Sequence, residues 1–119
     1  MATYEELHYE HQRWLSEVVF WQDEINFLKK LCFSLDNSNG LPIESCLNQL
    51  AHHERMLVSM KEQIISHENF IKDMIRDDGQ PCDGNTVDHQ HNRDHMKNFQ
   101  ESFKKLKKEV FQISHSNQH

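Results

Sequence analysis

The chain has 119 residues, a length that suits a single domain, and contains only 3 Gly and 2 Pro. Its mean hydropathy of -0.85 and its 27% of charged residues favour long solvated helices over strands and turns. A net charge of -6 argues against a protein that binds nucleic acid by neutralising phosphates. There is no apolar run of bilayer-spanning length, and acids stand where a secretory signal needs bases, so we expect a cytoplasmic protein without membrane contact.

The first predicted helix spans residues 3–36. It begins with Thr3 and Glu6, which have the spacing of a capping box. The stretch from Asp36 to Gly40 has the composition of a turn and ends the helix. Between these ends, residues suited to a buried seam recur at steps of three and four, as in a coiled coil. They are Tyr4, Leu7, His11, Trp14, Val18, Trp21, Ile25, Leu28, Cys32 and Leu35.

The second predicted helix spans residues 42–77 and has an equally regular seam. Its members are Leu50, His53, Leu57, Met60, Ile64, His67, Ile71 and Met74. Two of these eight inward positions are histidines, although a buried polar ring without partners costs about 1 to 3 kcal/mol. The two histidines therefore require a structural or functional reason.

The third predicted helix spans residues 86–114 and is followed by a short tail without periodicity. Its seam is His89, Asn92, Met96, Phe99, Phe103, Leu106, Val110 and Ile113, and its flank carries His91 and His95. Three long helices with short connections predict an all-α fold, an antiparallel up-down-up three-helix bundle with coiled-coil-like packing, formed by residues 1–119 as one domain.

Residues at one height of this bundle can be identified from their numbers. In antiparallel helices the numbers of facing residues sum to a constant, about 78 for a first turn near Asn39 and about 162 for a second turn near Pro81. These sums place His11, His67 and His95 at one height, where we expect them to bind a metal ion. Candidate further ligands, or partners that orient the ligands, are His8, Glu10, Glu68 and His91.

Imidazole and carboxylate groups without thiolates suit Zn, Fe, Mn or Cu. The predicted function is therefore binding of a transition metal ion, in a metal-handling or in a redox or sensing role. A second interpretation stays open: a non-catalytic structural or interaction module in which buried His-Glu pairs fix the helix register.

Two other groups share a predicted height. His53 lies level with Glu24 and Glu109, which allows either a second metal site or a hydrogen bond between histidine and carboxylate. Cys32 lies opposite Cys46, where the two thiols could form a disulfide or remain reduced core residues.

Enzymatic activity finds little support in the sequence. It contains no Gly-rich phosphate loop, no nucleophile elbow and no HExxH motif, so we assign no reaction and no catalytic residue. The sequence identifies no protein partner. A homodimer would cover the apolar residues on the flanks of the helices, which are Phe20, Phe27, Val58, Ile65, Phe70 and Phe111.

Overall fold

The computed structural model contains three helices: α1 (Tyr4–Ser34), α2 (Leu41–Asp78) and α3 (Thr86–Ser116). The structure describes residues 3–35, 41–78 and 86–116. Every helix end lies within two residues of its predicted position, and α3 includes two residues that the sequence assigned to the tail. The predicted turn at 36–40, residues 79–85 around the second predicted turn near Pro81, and residues 117–119 lie outside the described residues.

The start of α1 follows the predicted capping. The side-chain oxygen of Thr3 accepts a hydrogen bond from the backbone N–H of Glu6 at 3.2 Å, which satisfies one of the free donors of the first turn. At the other end the backbone N–H of Leu35 donates to the carbonyl of Cys32 at 3.1 Å. The side chain of Thr3 therefore fixes the start of this helix, and a backbone hydrogen bond closes its last turn.

The three helices pack against one another as an all-α bundle, which confirms the predicted fold class. The molecule is a narrow rod of 63 × 18 × 17 Å. All residues of the three predicted seams are buried or half-buried, and they form the core along the length of the rod. The periodicity of the sequence therefore identified the inward face of each helix correctly.

The register between α1 and α2 agrees with the sum of about 78. Leu7 packs with Ile71, and Tyr4 and Met74 pack against this pair. The register between α2 and α3 is different. His53 contacts Ser102 rather than the vicinity of residue 109, so α3 is displaced by about seven residues, or about 10 Å at 1.5 Å per residue.

The displacement has a geometric cause. The sum of about 162 assumed that both helices end level with each other at the second turn. In the observed register, α3 begins near the height of residue 70, about two turns before the end of α2 at Asp78. The midpoint of the connection between α2 and α3 therefore does not give the correct sum for facing residues of these two helices.

Within the described residues, none of the helices combines the length and the apolar character needed to cross a bilayer.

Candidate metal centre

Three buried histidines, one from each helix, meet near one end of the bundle. They are His11, His67 and His89, with exposed fractions of 0%, 6% and 4%. Each offers a ring nitrogen, and these three nitrogens lie within 4.8 Å of one another. The ring centroids are 5.1 Å apart for His11 and His67, 5.1 Å for His11 and His89, and 5.8 Å for His67 and His89. The cluster is therefore close enough to hold a metal ion.

The helix seams position these rings. Each histidine occupies a position that repeats with the apolar core, so its side chain points toward the bundle axis. Buried Leu7 and Ile71 lie on the side nearer the end of the rod. On the opposite side Trp14 stacks against His89, with ring centroids 4.8 Å apart. The histidines therefore lie between apolar groups that limit access of water.

Glu68 joins α2 to α1 beside the cluster. Its carboxylate accepts hydrogen bonds from His8 Nδ1 at 2.6 Å and from His11 Nδ1 at 3.2 Å. Burial by itself raises the pKa of Glu68, but the hydrogen bonds from the two histidines outweigh burial and lower the pKa. Glu68 is therefore charged at neutral pH and holds the His11 ring in one orientation.

Glu10 links α1 to α3 in the same way, through contacts of its carboxylate with side chains of α3. It contacts His89 Nε2 and also accepts a hydrogen bond from Arg93 at 2.7 Å. Burial opposes ionisation of Glu10, yet Arg93 and His89 lower the pKa of this carboxyl below its ordinary value. Two of the three clustered rings thus each have a carboxylate on their outer nitrogen.

These hydrogen bonds fix which ring nitrogens face the middle of the cluster. Because a carboxylate oxygen only accepts, His11 donates from Nδ1 and keeps the lone pair on Nε2 when it is neutral. His89 donates from Nε2 to Glu10, and its buried Nδ1 has no hydrogen-bond partner among the described residues. Both rings therefore direct a lone pair inward, as metal-binding histidines do when a carboxylate holds the other nitrogen.

Burial favours the neutral form of His11 and of His89. It lowers the pKa of His11 and the pKa of His89, and in each ring this effect exceeds the opposing effect of the bonded glutamate. Only the neutral form of an imidazole has a lone pair for a metal ion. The two rings are thus in the form that binds metal at neutral pH.

The structure brings together most of the residues that the sequence proposed for the site. His11 and His67 belong to the cluster, and His8, Glu10 and Glu68 contact the cluster or its partners. His95 is half-buried and donates instead to the side-chain oxygen of Gln63 at 3.1 Å. His91 is exposed and lies beside His95, with ring centroids 5.0 Å apart.

His89 is the member of the cluster that the height calculation missed. The displaced register of α3 brings His89 to the height of His67, where His95 was expected. The sequence did contain a signal, because His89 is the only histidine on the apolar seam of α3, whereas His91 and His95 lie on its flank. Choosing the α3 histidine that lies on the seam, rather than the one at the calculated height, would have identified His89.

The second predicted level is occupied differently. His53 donates from Nδ1 to the backbone carbonyl four residues earlier and accepts at Nε2 from the Ser102 hydroxyl, both at 2.8 Å. Glu24 pairs with Lys107 at 3.1 Å, and Glu109 is exposed. Both ring nitrogens of His53 therefore have hydrogen-bond partners, and within the described residues no group of three possible metal ligands lies at this level.

Cys32 and Cys46 are free buried thiols near the opposite end of the bundle. Burial raises the pKa of each, and for Cys32 the neighbouring Cys46 adds to the effect. The two cysteines thus lie close together, as the first register predicts, and far along the rod from the histidines.

The fold and the site define a three-helix bundle with a buried three-histidine cluster. Comparison of the chain with family models, with curated proteins and with solved structures finds no match.

Proposed function

We propose that the protein binds one transition metal ion through His11, His67 and His89, and that it serves in metal handling or in metal or redox sensing. One observation carries this proposal: three buried imidazoles from three helices converge, and carboxylates orient two of them. Burying these polar rings together costs free energy, and coordination of an ion would offset that cost.

The distances support a compact site. Metal–nitrogen bonds of about 2.0 to 2.1 Å in a tetrahedral arrangement separate the ligand nitrogens by about 3.3 Å. His11 Nε2 and His67 Nδ1 lie 3.2 Å apart. With His11 bonded to Glu68, the hydrogen between these two nitrogens belongs to His67. In neutral His67 this hydrogen has to move to Nε2 before Nδ1 can bind a metal ion, so binding releases no net proton.

The donor set narrows the choice among the expected metals. Imidazole nitrogen suits Zn, Cu and Fe, whereas Mn favours oxygen ligands. Within the described residues the compact group contains only histidines, since the carboxylates of Glu10 and Glu68 bond to the outer ring nitrogens. Zn, Cu and Fe therefore fit the site better than Mn.

Three protein ligands leave a fourth position for an exchangeable group. A groove of about 620 Å³ between α2 and α3 is lined by His67, Asn92 and Phe70, and it gives the cluster a route to solvent. An accessible fourth position favours reversible loading and release, which metal handling requires.

Metal content and affinity test the proposal directly. We expect protein purified without a histidine tag to bind one tight equivalent of Zn²⁺ in a calorimetric titration, and His67→Ala to abolish this tight binding. His53→Ala is the matched control, since it also removes a buried histidine from the seam of α2. Absence of a tight equivalent of Zn²⁺, Cu²⁺ or Fe²⁺ in folded wild-type protein would exclude the proposal.

A second candidate function is a structural or interaction module whose buried polar groups fix the helix register. The observation in its favour is that Glu68 links α2 to α1 and Glu10 links α3 to α1 through hydrogen bonds. This alternative predicts a metal-free protein in which His67→Ala changes stability or helix pairing. The same titration therefore distinguishes the two functions.

A further inference from the structure

A pair of histidines outside the buried cluster has the geometry of a surface metal site. His91 and His95 are one turn apart on α3, and their ring centroids are 5.0 Å apart. Positions i and i+4 of a helix lie on the same face, so both rings can approach one ion. His91 is exposed and His95 is half-exposed, which leaves the pair accessible from solvent.

A hydrogen bond to Gln63 of α2 fixes which ring nitrogen of His95 can bind a metal ion. The side-chain oxygen of Gln63 lies 3.1 Å from His95 Nδ1, and an amide oxygen only accepts a hydrogen bond. His95 therefore has its proton on Nδ1 and a lone pair on Nε2 when it is neutral. A hydrogen bond on one ring nitrogen that leaves the other for a metal is the arrangement found around metal-bound histidines.

The surroundings of the pair favour cations. His91 lines the same groove of about 620 Å³ as His67, and Glu62 and Asp88 also line it. Acidic residues in a cleft raise the local concentration of positive ions and speed their association. The groove thus contains an exposed histidine of the pair and one histidine of the buried cluster.

From this geometry we infer that His91 and His95 form a second, weaker site for a divalent transition metal ion. The site captures the ion at the surface and delivers it along the groove to His67. The capture step can be tested independently, whereas delivery rests on the proposed function of the buried cluster.

Two variants separate the sites. His91→Ala/His95→Ala removes the exposed pair, and His52→Ala/His115→Ala is a matched control that removes two other exposed histidines not spaced as a pair. Calorimetric titration with Zn²⁺ counts the bound equivalents. Trp14 stacks on His89, so its fluorescence reports loading of the buried cluster in stopped-flow mixing.

We expect wild-type protein and the control to bind two equivalents, one tight and one weak. His91→Ala/His95→Ala should lose the weak equivalent, retain the tight one and load the buried cluster about tenfold more slowly, the lower end of what local ion enrichment contributes. His67→Ala should retain the weak equivalent alone.

The outcomes that overturn the inference differ from those that overturn the proposed function. If His91→Ala/His95→Ala still binds two equivalents, the surface site does not exist. The same conclusion follows if wild-type protein binds only one equivalent and the variant loads the buried cluster at the wild-type rate. If the weak equivalent is lost but loading is as fast as in the control, capture stands and delivery is refuted. If no tight equivalent exists while the weak one depends on His91 and His95, the buried-site proposal fails and the surface site stands.

Discussion

At the scale of single residues, Glu68 holds a buried negative charge between two histidines of α1. It accepts from His8 and His11, and one of these rings belongs to the cluster. A carboxylate in this position fixes the ring orientation and makes the coordinating nitrogen a stronger donor. Its effect on metal binding should therefore exceed that of any acidic residue on the surface.

Replacing Glu68 by Gln should weaken Zn²⁺ binding by about 10-fold to 100-fold, because the amide carries no charge and orients His11 less firmly. Competition with a chelator measures the affinity. Glu44→Gln is the matched control, since Glu44 lies on the same helix, is exposed and does not line the groove beside His67. Equal losses in the two variants would show that Glu68 acts only through overall charge.

Stability of the metal-free protein should depend on pH through His11 and His89. Burial lowers the pKa of both below the ordinary 6.5. As pH falls below about 6.5, these two histidines bind protons in the unfolded chain but stay neutral in the folded chain. The free energy of unfolding therefore decreases until the pH reaches their lowered pKa values. Stability is thus retained above this window and lost within it.

Urea unfolding in the presence of a chelator measures this dependence. The urea concentration at the midpoint of unfolding should decrease as the pH is lowered from about 7.5 to about 5.5. Glu10 and Glu68 act in a separate range, because their pKa values lie below the ordinary 4.5 and their contribution is lost only in more acidic solution. A midpoint that stays constant above pH 4.5 would contradict the assignment to the histidines.

Some residues of the site could be predicted from the sequence and others could not, because their placement depends on different structural features. His11 and His67 followed from their seams and from the register of α1 with α2, which local sequence sets well. Glu68 and Glu10 were named as neighbours, but their individual partners depend on side-chain directions that numbering does not contain. His89 required the register of α3, which the sequence calculation gave incorrectly.

At the scale of helices, α2 forms the centre of the bundle through one narrow apolar face. Leu57 is fully buried, whereas the adjacent Val58 is 46% exposed. A rotation of 100° per residue separates the two side chains across the face of the helix. The same helix therefore contains strongly and weakly stabilising apolar residues side by side.

Leu57→Ala should reduce the free energy of unfolding by about 2 to 5 kcal/mol, because it leaves a cavity in the core. Val58→Ala is its control and should change stability by at most about 0.5 kcal/mol, as expected for a surface position. Chemical denaturation measures both. Similar losses for the two variants would mean that the face containing Val58 is also covered in solution.

At the scale of the whole molecule, metal binding should be linked to folding, because the ligands come from three helices. Zn²⁺ at a free concentration of about 100 times its dissociation constant should stabilise the protein by about 2.7 kcal/mol. For a domain of this size we expect a rise of about 10 °C in the melting temperature.

Thermal unfolding with and without a chelator tests this linkage. His53→Ala should preserve the stabilisation by Zn²⁺, and His67→Ala should abolish it. An equal rise in both variants would locate the ion outside the three-histidine cluster.

Association of two copies remains a prediction. The flanks expose Phe20, Phe27, Val58, Ile65 and Phe70, with exposed fractions from 40% to 62%. A second copy could remove these side chains from water, which favours association. Sedimentation equilibrium should give twice the mass of 14.3 kDa, and a single-chain mass at micromolar concentration would contradict the dimer.

The sequence by itself determined the three helices, their inward faces and the pairing of α1 with α2. These features depend on periodicity and capping, which act over a few residues, and on a short first connection. Only the tertiary structure decided which histidine of α3 joins His11 and His67. That choice depends on how far α3 is shifted along α2, and the shift is set by core packing and by where each helix ends rather than by the local residues around His89 or His95.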